Sequence, residues 1–267
     1  MFYFFCRIRG QLMKLFLAYM LLLFAAKISA AEKVIIEGDD DYAPYSFIEN
    51  GQYKGIYVDF LKLAAEKLAP DYLLELRPVP WKRGLKGIEN GRVFALFPPY
   101  LNKDRRYIQA YSVPVYRERV VLFCREDMIS PSHKVFPNDF YGLLIGVNLG
   151  FTLGDKMVAA VKSGRLSIEE VKGNDPNIKK LLVGRIACYA NDRLSVIYSL
   201  RKWKNAFEAS KIKLIEAAEI SEEDAFIAYG SEYKWPEKED FILKMNMAIE
   251  ELKKTGIITK MINEYTQ

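Results

Sequence analysis

Apolar and polar positions along the chain fall into short runs that switch between strand-like and helical periods. Lys33–Glu37 reads as a first strand, followed by turn residues Asp39, Tyr42, Pro44 and Gly51. Phe60, Leu61, Ala64 and Leu68 recur at helical spacing behind Asp59, a residue suited to capping, and Pro70 lies just past the end. Leu73–Pro78 predicts a second strand, Lys82–Asn90 a short helix stopped by Gly91, and Val93–Phe97 a third strand. A second set of units follows the apolar run Arg119–Cys124: strand Leu143–Asn148, helix Thr152–Ser163, a helix from Asp175-Pro176 to Gly184, and strand Ile186–Ala190. Thr152 with Asp155 fits a capping box, and Asp192 opens the next helix. Ala225–Tyr229 is again extended, and Glu237–Lys254 and Ile257–Tyr265 are helices separated by Gly256. Strands alternating with helices predict an α/β fold. If Arg119–Cys124 and Ala225–Tyr229 both cross between halves, one lobe holds both ends of the mature chain and the middle forms the other.

The first thirty residues break this pattern. Arg7, Arg9 and Lys14 precede an apolar run from Leu15 to Ala26, and small residues follow through Ala30. A basic start, a short apolar core and a small-residue exit predict a secretory signal peptide cleaved near Ala30. The run is shorter than the roughly 20 apolar residues that span a bilayer. Met13 is an alternative start. The segment also changes the charge reading: four of the 39 Lys and Arg lie in it and none of the 34 acids, so its removal takes the net charge from +5 to +1. The mature surface then gives no reason to expect nucleic acid or anionic lipid as a partner.

Cys6 leaves with the signal, so two of the three Cys remain. Cys124 and Cys188 can pair in an oxidising compartment, but sequence cannot place their Cα atoms. The preferred expectation is two small buried apolar residues without a bond. One His and scattered Cys predict no metal site, and nothing calls for a nucleotide or other cofactor.

Several motifs, in order and spacing, carry a family resemblance across the mature chain. Asp39-Asp40-Asp41-Tyr42-Ala43-Pro44-Tyr45, then Gly51 to Gly55 and Val58-Asp59-Phe60-Leu61, resemble the opening of family 3 periplasmic solute-binding proteins, the receptors of polar amino-acid ABC transporters. Asp104-Arg105 ahead of Tyr111-Ser112-Val113-Pro114-Val115-Tyr116, Gly146 through Thr152, Gly184-Arg185 with Asp192, and the ending Asn246 to Tyr265 are similar to that family's later motifs. The resemblance implies a type II periplasmic-binding fold of two doubly wound lobes joined by two crossing strands. Lobe one is expected over 31–120 with 228–267, and lobe two over 121–227. It also implies that Arg105 grips a ligand carboxylate, that Thr152 donates to it, that Asp192 takes an α-ammonium and that Tyr42 covers the ligand.

The residue chemistry is compatible with those roles. Arg105 presents a planar fork to a carboxylate. Thr152 begins a helix, where free N–H groups favour an anion, and Asp192 is an anionic partner for an ammonium. Trp81 can stack on a ligand or cap a cation, and Arg83 can add a second cation. Asp39, Tyr100 and Phe151 complete the expected ligand-binding set. Other positions depart from the amino-acid-binding pattern: Phe94 replaces an Asp, Phe97-Pro98-Pro99-Tyr100 removes two N–H donors, Asn102 replaces a Thr, and Phe151 fills a hydroxyl position.

The expected function is a periplasmic receptor, monomeric, that captures an amino acid or other small carboxylate and docks on a membrane permease. A ligand-dependent partner of a membrane sensor is the alternative. A dehydratase-type enzyme on the same scaffold is a more distant reading, because His133 stands in a loop with no motif around it.

Overall fold

In Glu32–Asp39 (β1) alternate side chains are buried, Val34 and Ile36 among them, as the two-residue period of a strand dictates. The computed structural model describes residues 31–151 and 153–266; the expected signal peptide and Thr152 lie outside the described residues. The hairpin Asp41–Tyr42 (β2), Ser46–Glu49 (β3) and Gln52–Lys54 (β4) follows β1. Strand Tyr72–Val79 (β5) pairs parallel to one side of β1, and Ala95–Phe97 (β6) pairs parallel to the other. Ile108–Tyr111 (β7) and the late strand Ala228–Gly230 (β13) complete this sheet, in the order β5-β1-β6-β13-β7.

Helix Ile56–Leu68 (α1) buries Ile56, Val58, Phe60, Leu61, Ala64 and Leu68 against this sheet and the final helices. Gly55, at φ 131, stands at its N-cap. Asp59 therefore lies in the first turn and does not cap, and its carboxylate accepts Tyr265 Oη at 2.5 Å. Trp81–Glu89 (α2) covers the opposite face, and Lys238–Lys254 (α6) and Ile257–Thr266 (α7) close the lobe.

The second sheet runs Ser167–Val171, Leu144–Asn148, Cys188–Asp192, Tyr116–Arg125 and Leu214–Ala225. Tyr116–Arg125 (β8) and Leu214–Ala225 (β12) pair antiparallel along nearly their whole length, and Leu144–Asn148 (β9) lies parallel to Ser167–Val171 (β10) and Cys188–Asp192 (β11). Helix Gly154–Lys162 (α3) has Leu153 at its N-cap. Helix Asn174–Leu182 (α4) starts behind Gly173, and Asp175 sits in its first turn instead of capping it. Arg193–Ser210 (α5) does carry the expected cap: Asp192 accepts the Ser195 N–H at 2.8 Å. Two cores, one on each face of this sheet, hold the lobe together.

The chain passes between sheets at Ser112–Val115 and again at Phe226–Ile227. There the two passes bond to each other, Ser112 N–H to the Ile227 carbonyl at 2.8 Å and Val115 N–H to the Ala225 carbonyl at 2.8 Å. The result is the expected two-lobed α/β fold.

One expectation is corrected. Cys124 and Cys188 face each other across the antiparallel β8–β11 pair, their Cα atoms 4.0 Å apart, and are joined in a disulfide. Cross-strand register, which the sequence does not show, decides this. Among the described residues no helix is long and apolar enough to cross a membrane, and no cluster of His, Cys, Asp and Glu could hold a metal.

Candidate functional site

The strand ends of the two sheets face each other across a cleft. Asp39 closes β1, Tyr42 lies in β2, Trp81 opens α2, and Pro98 and Tyr100 follow β6. Phe151 follows β9 from the other lobe. With Arg105, these residues line one pocket. A second pocket shares Asp39, Trp81 and Phe151 with the first and continues past Asp41, Asn148 and Lys172. The expected Asp39, Tyr42, Trp81, Tyr100, Arg105 and Phe151 are thus brought together, although up to 112 positions separate them in sequence.

Arg105 is the cation of this pocket. Its guanidinium lies over the Trp81 ring at 5.8 Å, and burial lowers its pKa. The groups that act on its charge are Tyr107 and Tyr111, and among the described residues no carboxylate is matched to it. Asp39 is the anion. Burial above all, then the neighbouring Asp40 and Asp41 charges, raises its carboxyl to about 8 against the opposing Asp41 N–H at 3.1 Å and the Lys172 charge. Arg105 and Asp39 line the same pocket.

Behind the pocket lies a layer of tyrosine hydroxyls and acids that sequence reasoning missed. Glu118, on β8 and 1% exposed, accepts hydroxyls from Tyr42, Tyr57 and, at 2.6 Å, Tyr100. Tyr42 and Tyr100 therefore turn rings toward the cleft and spend their hydroxyls behind it. Asp192, 2% exposed, is in the same layer. It accepts Tyr45 Oη at 3.0 Å from the other lobe as well as the Ser195 N–H, and it lines neither cleft pocket. Burial raises Glu118 to about 8, with the Asp192 charge adding to it and the three hydroxyls opposing; burial raises Asp192 to about 6 against its N–H and Tyr45 donors.

Two other positions fall elsewhere. Arg83 is on the exposed side of α2, where its charge acts on Glu37. Phe94 is no part of the cleft wall: it packs in the lobe-one core with ring centroids 4.9 Å from Trp235 and 5.3 Å from Tyr229. An apolar residue immediately before a β6 that is buried throughout was a core signal.

The lobes touch across the cleft. Ser195 Oγ donates to the Ala43 carbonyl at 2.7 Å, Lys172 pairs with Asp40 at 2.7 Å, and Trp81 Nε1 donates to the Gly150 carbonyl at 3.2 Å. Gly150, at φ 82, brings its backbone against lobe one: a Cβ there would stand 2.9 Å from Lys82 and 3.4 Å from Trp81. Gly150→Ala is expected to cost about 1 kcal/mol from the left-handed backbone alone, read as a lower urea midpoint.

A two-lobed α/β frame with a cation, an anion and aromatic walls in its cleft is matched by one family model, bacterial extracellular solute-binding proteins, family 3, over residues 34–267. The chain belongs to this family. No curated protein sequence matches it. Among solved structures, a histidine kinase sensor domain similar to periplasmic binding proteins superposes with a TM-score of 0.72 at 18% identity, over 88% of this chain and 96% of that one. An ancestral arginine-binding protein bound to arginine gives 0.70 at 20% identity, over 88% and 98%. A Streptococcus pneumoniae amino acid ABC transporter substrate-binding protein bound to L-arginine gives 0.69 at 16%, over 88% and 94%. At these identities the likeness to the solved structures is one of fold, and proteins of family 3 typically work outside the cytoplasm as binders of small solutes.

Proposed function

We propose that this protein is a periplasmic receptor that closes its lobes, 31–120 with 228–267 and 121–227, on an amino acid or other small carboxylate and delivers it to a membrane partner. The observation that carries the reading is Arg105: a half-buried guanidinium, set over Trp81, facing a largely apolar cleft and, among the described residues, matched to no carboxylate of its own. A desolvated cation of this kind is a site for an anion, and a carboxylate fits its fork. Tyr42, Trp81, Tyr100 and Phe151 would flank the ligand and Asp39 would set its far end. The space open to the centre of a water molecule in the first pocket is about 20 Å³, enough for one water. Entry of anything larger therefore requires the lobes to part, which supports hinge opening about the two chain passes.

An ABC importer is the partner suggested by transporter-associated structural neighbours, and a membrane sensor is the alternative suggested by the histidine kinase sensor domain. Among the described residues that line the cleft, none forms an acid–base pair beside a nucleophile, and His133 accepts the Ser130 N–H at 3.0 Å, away from the cleft. Binding without turnover, by a monomer, is the proposed activity.

Isothermal titration of the protein against a panel of amino acids and simple carboxylates tests the proposal. A panel member should bind, and Arg105→Ala should weaken it by about 10- to 100-fold, the loss expected for a charged hydrogen-bond pair. Unchanged affinity in Arg105→Ala would remove the carboxylate assignment.

A further inference from the structure

Among the described residues that line the Arg105 pocket, Phe151 alone comes from the lobe of the second sheet. What that lobe brings to this chamber when the lobes meet is therefore one benzyl side chain. Its ring stands edge to face with Tyr42 at 5.2 Å and with Trp81 at 6.1 Å, and it packs against the buried cores of both lobes. Phe151 is also a wall common to the two cleft pockets. The Arg105 chamber is open to the centre of a water molecule over about 20 Å³, and the chamber of Asn148 and Lys172 over about 50 Å³.

The backbone fixes this ring in the frame of its own lobe. Phe151 N–H donates to the Asn148 carbonyl at 3.0 Å, closing a turn through Leu149 and Gly150, and Gly150 N–H donates to Glu170 at 2.9 Å. Asn148 is tied in turn to the lobe interior: its Nδ2 donates to Asn174 Oδ1 at 2.9 Å, and its Oδ1 accepts Asn177 Nδ2 at 3.0 Å. A turn held at both ends carries its side chain with the lobe, and close packing leaves the ring little room to swing aside. A ligand on Arg105 must then fit beside the ring or hold the lobes short of this closure. The second course forfeits contacts such as Trp81 Nε1 to the Gly150 carbonyl at 3.2 Å.

We propose that Phe151 sets the size of ligand this cleft accepts, reserving the Arg105 chamber for carboxylates with a short or slender chain and turning away those that carry a ring. This rests on the assignment of Arg105 made above. Truncation to Ala removes the common wall and joins the two chambers. A ring on the ligand can then take the place of the ring on the protein, as an apolar cavity left by truncation takes up a guest of matching shape.

Calorimetric titration of the native protein, Phe151→Ala and Phe151→Leu tests this with acetate and 3-phenylpropionate, with their α-amino counterparts glycine and phenylalanine, and with benzyl alcohol as a ring without a carboxylate. At least one ring-bearing acid should bind Phe151→Ala about 10- to 100-fold more tightly than the native protein, the worth of burying a phenyl ring. Phe151→Leu should fall between, and acetate and glycine should change by less than about 3-fold. If the melting curve shows Phe151→Ala unfolded, the gain is read from Phe151→Leu alone. The inference fails if no ring-bearing acid gains, or if small and ring-bearing acids gain alike. Damage to the fold would lower affinity and could not produce the expected gain. Adding Arg105→Ala to Phe151→Ala separates the two readings. Loss of the ring-bearing acids with benzyl alcohol still bound supports both, whereas a gain that persists without Arg105 keeps the size limit and removes the carboxylate. Should the size limit fail, the carboxylate reading still stands on any member of the wider panel that requires Arg105.

Discussion

Taking the protein from about pH 5 to about pH 8 is expected to lower its melting temperature steeply, because three buried carboxyls hold protons in the folded chain that they release when unfolded. Burial raises Asp39 and Glu118 to about 8 and Asp192 to about 6. In the unfolded chain such groups ionise near pH 4. Between those limits the folded state binds more protons, so stability falls as pH rises, at on the order of 1 kcal/mol per unit for each group within its window. The contribution is complete below about pH 4 and gone above about pH 8. Exposed, paired acids such as Glu75 and Asp240, whose carboxyls are lowered by their Lys and Arg partners, act in the opposite sense at the acid end and set the lower edge of the optimum. Calorimetric melting in unit pH steps checks this, with Glu118→Gln expected to flatten the slope. A profile that is level or climbs from pH 5 to 8 would contradict the buried-acid account.

Removing the disulfide should be the most costly covalent change. Cys124 and Cys188 close a loop of 64 residues, which spans β9, α3, β10 and α4. Cross-linking a loop of that length restricts the unfolded chain by about 4 kcal/mol in the chain-entropy account, with 2–5 kcal/mol typical on removal. The Cys124→Ala, Cys188→Ala double variant should lose stability in that range by urea titration, and the native protein should show neither thiol to alkylation before reduction. A loss under about 1 kcal/mol, or a free thiol at either position, would refute the bridge. Its presence also fits an oxidising compartment.

The sequence carried the α/β alternation because most strands bury side chains on both faces and read as apolar runs, as in β8 and β9. It concealed β12, whose Leu214–Ala225 contains five acids. That strand is the sheet edge, and its acids face arginines of β8, Arg117 with Asp224 at 2.9 Å and Arg119 with Glu219 at 2.8 Å, so charge stands where apolar alternation was sought. Arg105 and Tyr42 were expected in the cleft from motif, and Trp81 from its chemistry. What surrounds Asp192 was not: its partner Tyr45 lies 147 positions away on the other lobe, and no local pattern announces such a contact. Glu118 escaped for the same reason, since its Tyr42, Tyr57 and Tyr100 partners come from three separate elements.

The two chain passes between the lobes are bonded to one another, with Ser112 Oγ also receiving the Ile227 N–H at 2.9 Å. A hinge made of two laced plies behaves like the spine of a book. It bends readily across its thin direction and resists torsion, because twisting one ply would shear the bonds to the other. The lobes should therefore part along one path, and the rings of Tyr42 and Phe151, now edge to face at 5.2 Å, would separate and meet again in the same alignment at every cycle.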